Sequence, residues 1–170
     1  MRLFAFALAA AASAASLCAQ PASPSIEAPA GARVLLQARG DGVQIYGCAR
    51  VENGFKWTLK GPDAKLLDMA GKEIGAHFAG PAWKLADGSQ VQGELLASQP
   101  SPDAGSVPWL LLRAKAGTAS GTFAGVAFIR RSETRGGVAP AGGCQSPADL
   151  DKSVRVPYTA TYGFYAAPQQ

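Results

Sequence analysis

The chain carries one histidine, His77. An imidazole titrates near neutrality and can take or give a proton there when a neighbouring group fixes its tautomer. Asp68, Glu73 and Asp87 lie within ten residues of it. His77 with Asp68 or Asp87 is therefore a candidate general base for a small hydrolase or isomerase. Glycines on both sides, in Gly75-Ala76-His77-Phe78-Ala79-Gly80-Pro81, allow a close backbone approach to a ligand. The structural alternative is a histidine hydrogen-bonded at a strand end. Asp87-Gly88-Ser89 adds the residue types of a Ser/His/Asp set, but no G-x-S-x-G elbow is present. Asp-Gly-Ser is also an ordinary tight turn. Asp68 and Asp87 match the residue types of a glycosidase carboxylate pair, whose chemistry depends on a separation in space that sequence spacing does not give.

Three tryptophans form the second set of candidates. Indole faces stack on the apolar C–H faces of sugars and on other flat ligands. Trp57 and Trp109 sit in strong core patterns. Trp83 follows Gly80-Pro81 and precedes Lys84, so it is the tryptophan expected to line a cleft, with His77 as its companion in ligand binding. One histidine is too few for a histidine-rich metal centre, and no metal or other cofactor is expected. No G-x-G-x-x-G follows a strand and no βα alternation occurs, which excludes a dinucleotide fold. The glycine-rich Gly117–Gly121 and Gly136–Gly143 stretches lack the Lys-Ser/Thr of a phosphate loop. The net charge of +4 is mild. Arg130, Arg131 and Arg135 are the densest basic cluster and read as a solvated strand end, so no nucleic-acid partner is expected.

These groups need a scaffold, and the chain start says where it would be built. Met1-Arg2 and the Ala/Leu/Phe-rich run after them read as a secretory signal peptide over residues 1–19. Cleavage after Ala15 is the alternative to cleavage after Ala19. Loss of Cys18 with the leader turns three cysteines into a pair, Cys48 and Cys144. In an oxidising compartment an even pair reads as a disulfide. Closing a loop of roughly a hundred residues contributes ~4–5 kcal/mol in the chain-entropy model. The expected location is periplasmic or secreted. No second apolar run is long enough to span a bilayer after the leader.

Residues 20–31, rich in Pro, Ala and Ser, read as a flexible linker. A single domain over residues 32–167 follows. The chain's 20 glycines and 12 prolines rule out a helical bundle. Short runs alternate with turn signals about every ten residues, as in Phe55-Lys56-Trp57-Thr58-Leu59. The expected fold is all-β: a sandwich or barrel of nine or ten short, mostly antiparallel strands, with one long disulfide-tethered loop. Gly40-Asp41-Gly42 is expected to turn a hairpin between 33–39 and 43–51. Lys65–Met69 is expected to be a brief strand of its own. The apolar runs 107–114 and 122–131 are expected to be central strands. Helical turns are expected near Pro62–Leu66 and Pro147–Lys152.

An ordered set of motifs then stands out. Tyr46-x-Cys48 and Trp57 precede Pro62-x-Ala64-x-Leu66-x-Asp68-x-x-Gly71-x-x-x-Gly75-x-His77-x-x-Gly80-Pro81-x-Trp83. Asp87-Gly88-Ser89, Pro108-Trp109-Leu110-Leu111 and Thr134-x-Gly136-Gly137-x-Ala139-Pro140 follow, then Cys144 and Tyr158-x-Ala160-x-Tyr162-x-Phe164-Tyr165. Over residues 43–165 the chain resembles the DUF3455 family of exported proteins. The resemblance implies an exported domain and supplies no catalytic residues. The leading functional expectation is a binding module for an envelope or extracellular ligand, a carbohydrate being one candidate. The small hydrolase or isomerase is the second, and a secreted interaction protein without a small ligand is the third.

Overall fold

The computed structural model describes residues 25–169. The expected leader and the start of the linker lie outside the described residues. Eight strands follow one another: β1 (Arg33–Val51), β2 (Gly54–Leu67), β3 (Glu73–Phe78), β4 (Ala82–Leu85), β5 (Gln90–Gln99), β6 (Trp109–Ala114), β7 (Phe128–Gly136) and β8 (Ser153–Ala166). Each pairs antiparallel with its neighbours in sequence, and β1 also pairs with β8, so the sheet closes into an up-and-down barrel. The fold is all-β as expected, and of the two architectures it is the barrel.

Two expected boundaries dissolve, and that gives eight strands in place of nine or ten. Gly40-Asp41-Gly42 is no turn, because β1 runs unbroken for 19 residues. A Cβ on Gly40 would stand 2.6 Å from the Tyr162 ring, and one on Gly42 would strike the β2 backbone at Asp63 and Ala64. These glycines admit close neighbours where the sequence suggested a bend. Likewise 55–60 and 65–69 merge into β2, and Pro62–Leu66 is strand, not helix. Run 122–131 begins with a 3-10 turn, Gly121–Phe123, and becomes strand only at Phe128. The helical turn expected near Pro147 is present as the 3-10 turn Pro147–Asp149, closed by a Ser146/Asp149 capping box.

In a strand, alternate side chains point to opposite faces. The inward set of this barrel is mostly aromatic and aliphatic: Leu66, Trp83, Val91, Leu112, Ile129, Tyr162 and Phe164 are all buried. Trp83 meets Phe164 and Tyr162 edge-on at 5.8 and 5.5 Å, and Phe123 packs on Phe164 at 4.7 Å. The barrel interior is therefore a packed core over most of its height.

A second, smaller cluster lies outside the barrel wall. Ile26 is buried there against Ala97 and Leu111, and Glu27 pairs with Arg130 at 2.6 Å. This corrects the expectation of a flexible linker over 20–31, whose last part is docked. It also explains why the 107–114 run is so apolar. Leu112 faces the inner core while Leu111 is covered by Ile26. The expected disulfide is present: Cys48 on β1 joins Cys144 in the β7–β8 loop. No helix among the described residues is long and apolar enough to cross a membrane.

Candidate functional site

An up-and-down barrel sorts its connections by end. The β2–β3, β4–β5 and β6–β7 connections share one end. The β1–β2, β3–β4, β5–β6 and β7–β8 connections share the other.

The first end is sealed. The β6–β7 loop inserts Phe123 and Val126 into the core. Ser89 Oγ accepts the Thr122 backbone N–H at 2.8 Å, and Asp87 Oδ2 accepts the Thr122 hydroxyl at 2.8 Å. Asp87 Oδ1 also accepts the Ser89 N–H. Hydrogen bonds from Ser89, first its side chain and then its backbone, and from the Thr122 hydroxyl hold the Asp87 carboxyl below the usual carboxylate range. Asp68 shapes the β2–β3 turn by accepting the N–H groups of Ala70 and Lys72, both at 2.9 Å. Asp68 and Asp87 are thus turn-forming residues of the sealed end.

His77 stands one residue from the end of β3, beside the β3–β4 turn of the opposite end. Neither aspartate is hydrogen-bonded to it. Trp83 is its cross-strand partner, and the two rings stack at 4.4 Å with planes 4° apart. His77 is 3% exposed and Trp83 1% exposed. The Nδ1–H of His77 donates to the Ala82 carbonyl at 2.9 Å, which fixes the tautomer and leaves Nε2 as a lone pair. Burial pushes its pKa down to about 4, opposed by that carbonyl and assisted by the positive charge of Arg131. The imidazole is neutral at pH 7 and a weak base. Trp83 belongs to the core, with no face free to stack on a ligand.

The second end is open. A cavity of about 460 Å³ enters the barrel between β1, β2, β5, β6 and β7, with His77 and Pro81 in its wall. Below it a chamber of about 20 Å³ reaches Trp83 and Tyr162, and Arg131 lines both spaces. Two leucines define the mouth. Leu59 pairs across the strands with inward Tyr46, and Leu95 with inward Leu112, so both point into the barrel. Yet Leu59 is 52% and Leu95 62% exposed. Inward leucines stay wet only where the barrel is unfilled. Lys60 and Leu96 are extra residues at bulges in the β1–β2 and β5–β6 ladders next to this rim.

The polar groups of the mouth are unusual. Gln44 is 1% exposed, lies in the cavity wall, and has neither amide atom hydrogen-bonded. Buried amides are nearly always paired, and leaving one unpaired costs about 1–3 kcal/mol per group. Gly137 fits Gln44 closely. It has a φ of +84°, and a Cβ there would come within 3.1 Å of Gln44 Cγ and 2.8 Å of Tyr158 Cβ. The Tyr46 hydroxyl is spent on the Gly137 carbonyl at 2.7 Å.

Arg131 corrects the expectation of a solvated basic end. It pairs with Tyr162 across β7–β8, and so points inward. Its Nε and Nη2 both donate to the Pro108 carbonyl, at 3.0 and 2.8 Å. It forms no ion pair among the described residues, whereas Arg130 and Arg135 pair with Glu27 and Asp103. A groove of about 440 Å³ on the outer wall differs in carrying both signs of charge: Asp103 pairs with Arg135, Glu133 accepts from the Thr161 hydroxyl, and Arg39 lies in the same wall. No group of His, Cys, Asp and Glu able to hold a metal occurs among the described residues.

Of the candidate site residues His77, Asp68, Asp87 and Trp83, only His77 borders the open cavity. Gln44, Arg131, Ser98 and the two leucines were missed. Strand alternation held one clue: of adjacent Arg130 and Arg131, one must face the barrel interior.

Fold and site together define a class, an eight-stranded up-and-down barrel sealed at one end and open at the other around a cavity with polar groups. Barrels of eight strands either fill their interior with side chains or hold one small ligand. This chain belongs to the family described as Protein of unknown function (DUF3455), whose model matches residues 29–166. No curated protein and no solved structure matches the chain.

Proposed function

We propose that this protein is an exported binding protein that takes one small ligand into the open mouth of its barrel. The observation that carries the reading is the unpaired, buried amide of Gln44 in the wall of a cavity of about 460 Å³. Small-ligand sites typically have ~300–1,000 Å³, apolar walls and a few placed polar groups. Wet inward leucines at the rim supply the apolar wall. The Cys48–Cys144 disulfide favours an oxidising compartment, periplasmic or extracellular. A carbohydrate draws no support from Trp83, which is stacked on His77 inside the core.

The catalytic alternative draws less support. His77 has its Nδ1 on a backbone carbonyl and a depressed pKa, and Asp68 and Asp87 belong to turns of the sealed end.

The test is a thermal-shift screen of the oxidised protein against glycans, peptidoglycan fragments, lipids and organic acids, with Ser98→Trp alongside. Ser98 lies opposite inward Leu110 on the cavity wall and is exposed, so the larger ring fills the mouth without entering the core. A ligand at a hundred times its dissociation constant stabilises by ~2.7 kcal/mol. The expected result is a shift that Ser98→Trp abolishes. A ligand whose shift survives Ser98→Trp, or silence across the panel with a folded protein, would sink the reading. Export is checked separately by fractionating cells for the oxidised form.

A further inference from the structure

Resting on the mouth as the ligand site, we propose that the ligand is a monoanion: a carboxylate on an apolar chain or ring, bound head-inward against Arg131 and Gln44. Three observations carry this. First, the cavity wall includes two cations, Arg131 and Lys60, and no Asp or Glu. Neither cation forms an ion pair among the described residues. A half-buried guanidinium without a counter-ion is costly unless something anionic visits it. A cleft of one sign with low-dielectric walls also draws in the opposite charge.

Second, Pro108 occupies only the Nε–Nη2 edge of Arg131. A neutral carbonyl satisfies hydrogen bonds and leaves the charge uncompensated. One carboxylate oxygen can accept from the guanidinium while the other accepts from Gln44 Nε2, which has no partner of its own. Of the other groups at this depth, His77 is neutral and the Tyr46 hydroxyl is donated to Gly137. The Tyr158 and Tyr162 hydroxyls share one hydrogen bond at 3.3 Å, which leaves one O–H to donate, and the Trp83 Nε1–H in the lower chamber has no partner, so both can assist at the carboxylate head.

Third, polarity is graded along the cavity. The Arg131 charge and the unpaired amide sit on a half-buried and a buried residue, while the rim carries Leu59 and Leu95, more than half exposed, beside the exposed Lys60 and Ser98. A ligand with a charged head and an apolar tail matches that order only head-first.

The test uses the oxidised full-length mature protein and calorimetric titration with decanoate, 2-naphthoate, 1-decanol and decylammonium. Decanoate or naphthoate is expected to bind, and the two arms tell a chain from a ring. Decanol is expected to bind at least tenfold more weakly, the size of one lost charge-assisted hydrogen bond, and decylammonium not at all. Gln44→Met keeps the volume and removes the unpaired amide. It is expected to raise the melting temperature of the free protein while weakening carboxylate binding about tenfold, opposite signs that a purely structural glutamine would not produce. Arg131→Lys, which keeps the charge, is expected to retain part of the affinity that Arg131→Met loses. If decanol matches decanoate and Ser98→Trp abolishes both, the mouth stands as the site and the anion inference fails. If no probe binds, or binding survives Ser98→Trp, the inference falls with the site itself.

Discussion

The two ends of the barrel solve the same problem in opposite ways. Each must cap a core of aromatic side chains with loops. The sealed end does so from inside: Phe123 enters the core, and Asp87, Ser89 and Thr122 bind one another to hold it there. The open end is held from outside. Its long β7–β8 loop is fastened to β1 by Cys48–Cys144, and to β2 by the Trp57 Nε1–H donating to the Gly142 carbonyl at 2.9 Å. Nothing from that loop fills the mouth as Phe123 fills the other end. The sealed end satisfies its polar groups internally, whereas the open end leaves an amide and a guanidinium charge uncompensated. Stability is concentrated where the hydrogen bonding closes, and binding capacity where it does not. The covalent staple sits at the end that packing leaves weak.

The largest expected effect comes from removing that staple. Cys48→Ser with Cys144→Ser releases a closure spanning 96 positions. The chain-entropy model puts the loss at roughly 4–5 kcal/mol by urea denaturation. Hydrogen exchange should quicken first at the β1–β2 turn and the β7–β8 loop. Uniform quickening at both ends would break the contrast. Phe123→Ala tests the other end. Removing a fully buried ring costs about 3–5 kcal/mol, read in the same denaturation experiment. Ligand binding at the mouth should survive in conditions where the variant is folded. A loss of under about 1 kcal/mol would mean that Phe123 is no plug.

His77 supplies the next effect, through pH. Its folded-state pKa is about 4, below the unfolded value of 6.5. Between these values the unfolded chain binds a proton that the native chain does not. Stability is therefore full above about pH 6.5 and falls as pH drops towards 4, by roughly 3 kcal/mol over the window. Asp87 and Asp149 are held below their ordinary value by hydrogen bonds, so their contributions are lost only at lower pH. The slope between pH 6.5 and 5 belongs to His77, the one histidine in the chain. His77→Phe keeps an aromatic ring against Trp83 and should flatten that slope. An unchanged slope would show that the imidazole is not shielded as its burial requires.

How much of this was legible in the sequence follows from the range of each signal. Period-two alternation and turn residues are local, and they gave an all-β chain and the stretches that became strands. Cysteine parity gave the disulfide. Glycine was ambiguous, because Gly40 and Gly42 serve neighbours distant in sequence, Tyr162 and Ala64, and not the local backbone. The site failed for a related reason. His77, Asp68 and Asp87 are close along the chain, but an up-and-down barrel sends successive turns to opposite ends. Gln44 and Arg131 are 87 positions apart and meet the same cavity only because β1 and β7 both pair with β8. A single strand pattern marks Arg131 as inward or outward, and only closure of the barrel says what it faces.

The smallest effect sharpens the contrast most. Trp57→Phe removes one hydrogen bond to the Gly142 carbonyl and should cost about 1 kcal/mol, since Trp57 is only partly buried. Its consequence should be local. With Cys48–Cys144 intact, the loop stays attached at one point and gains freedom at the other. Hydrogen exchange should rise within the β7–β8 loop and stay unchanged at Thr122 and Phe123. Ligand dissociation should quicken, because the segment through Gly137 that confines Gln44 is part of that loop's start. If exchange rises at both ends together, the barrel opens as one unit and its ends share a single stability. If only the mouth responds, the ends are energetically separable, and the mouth can adapt to a ligand while the sealed end keeps the fold.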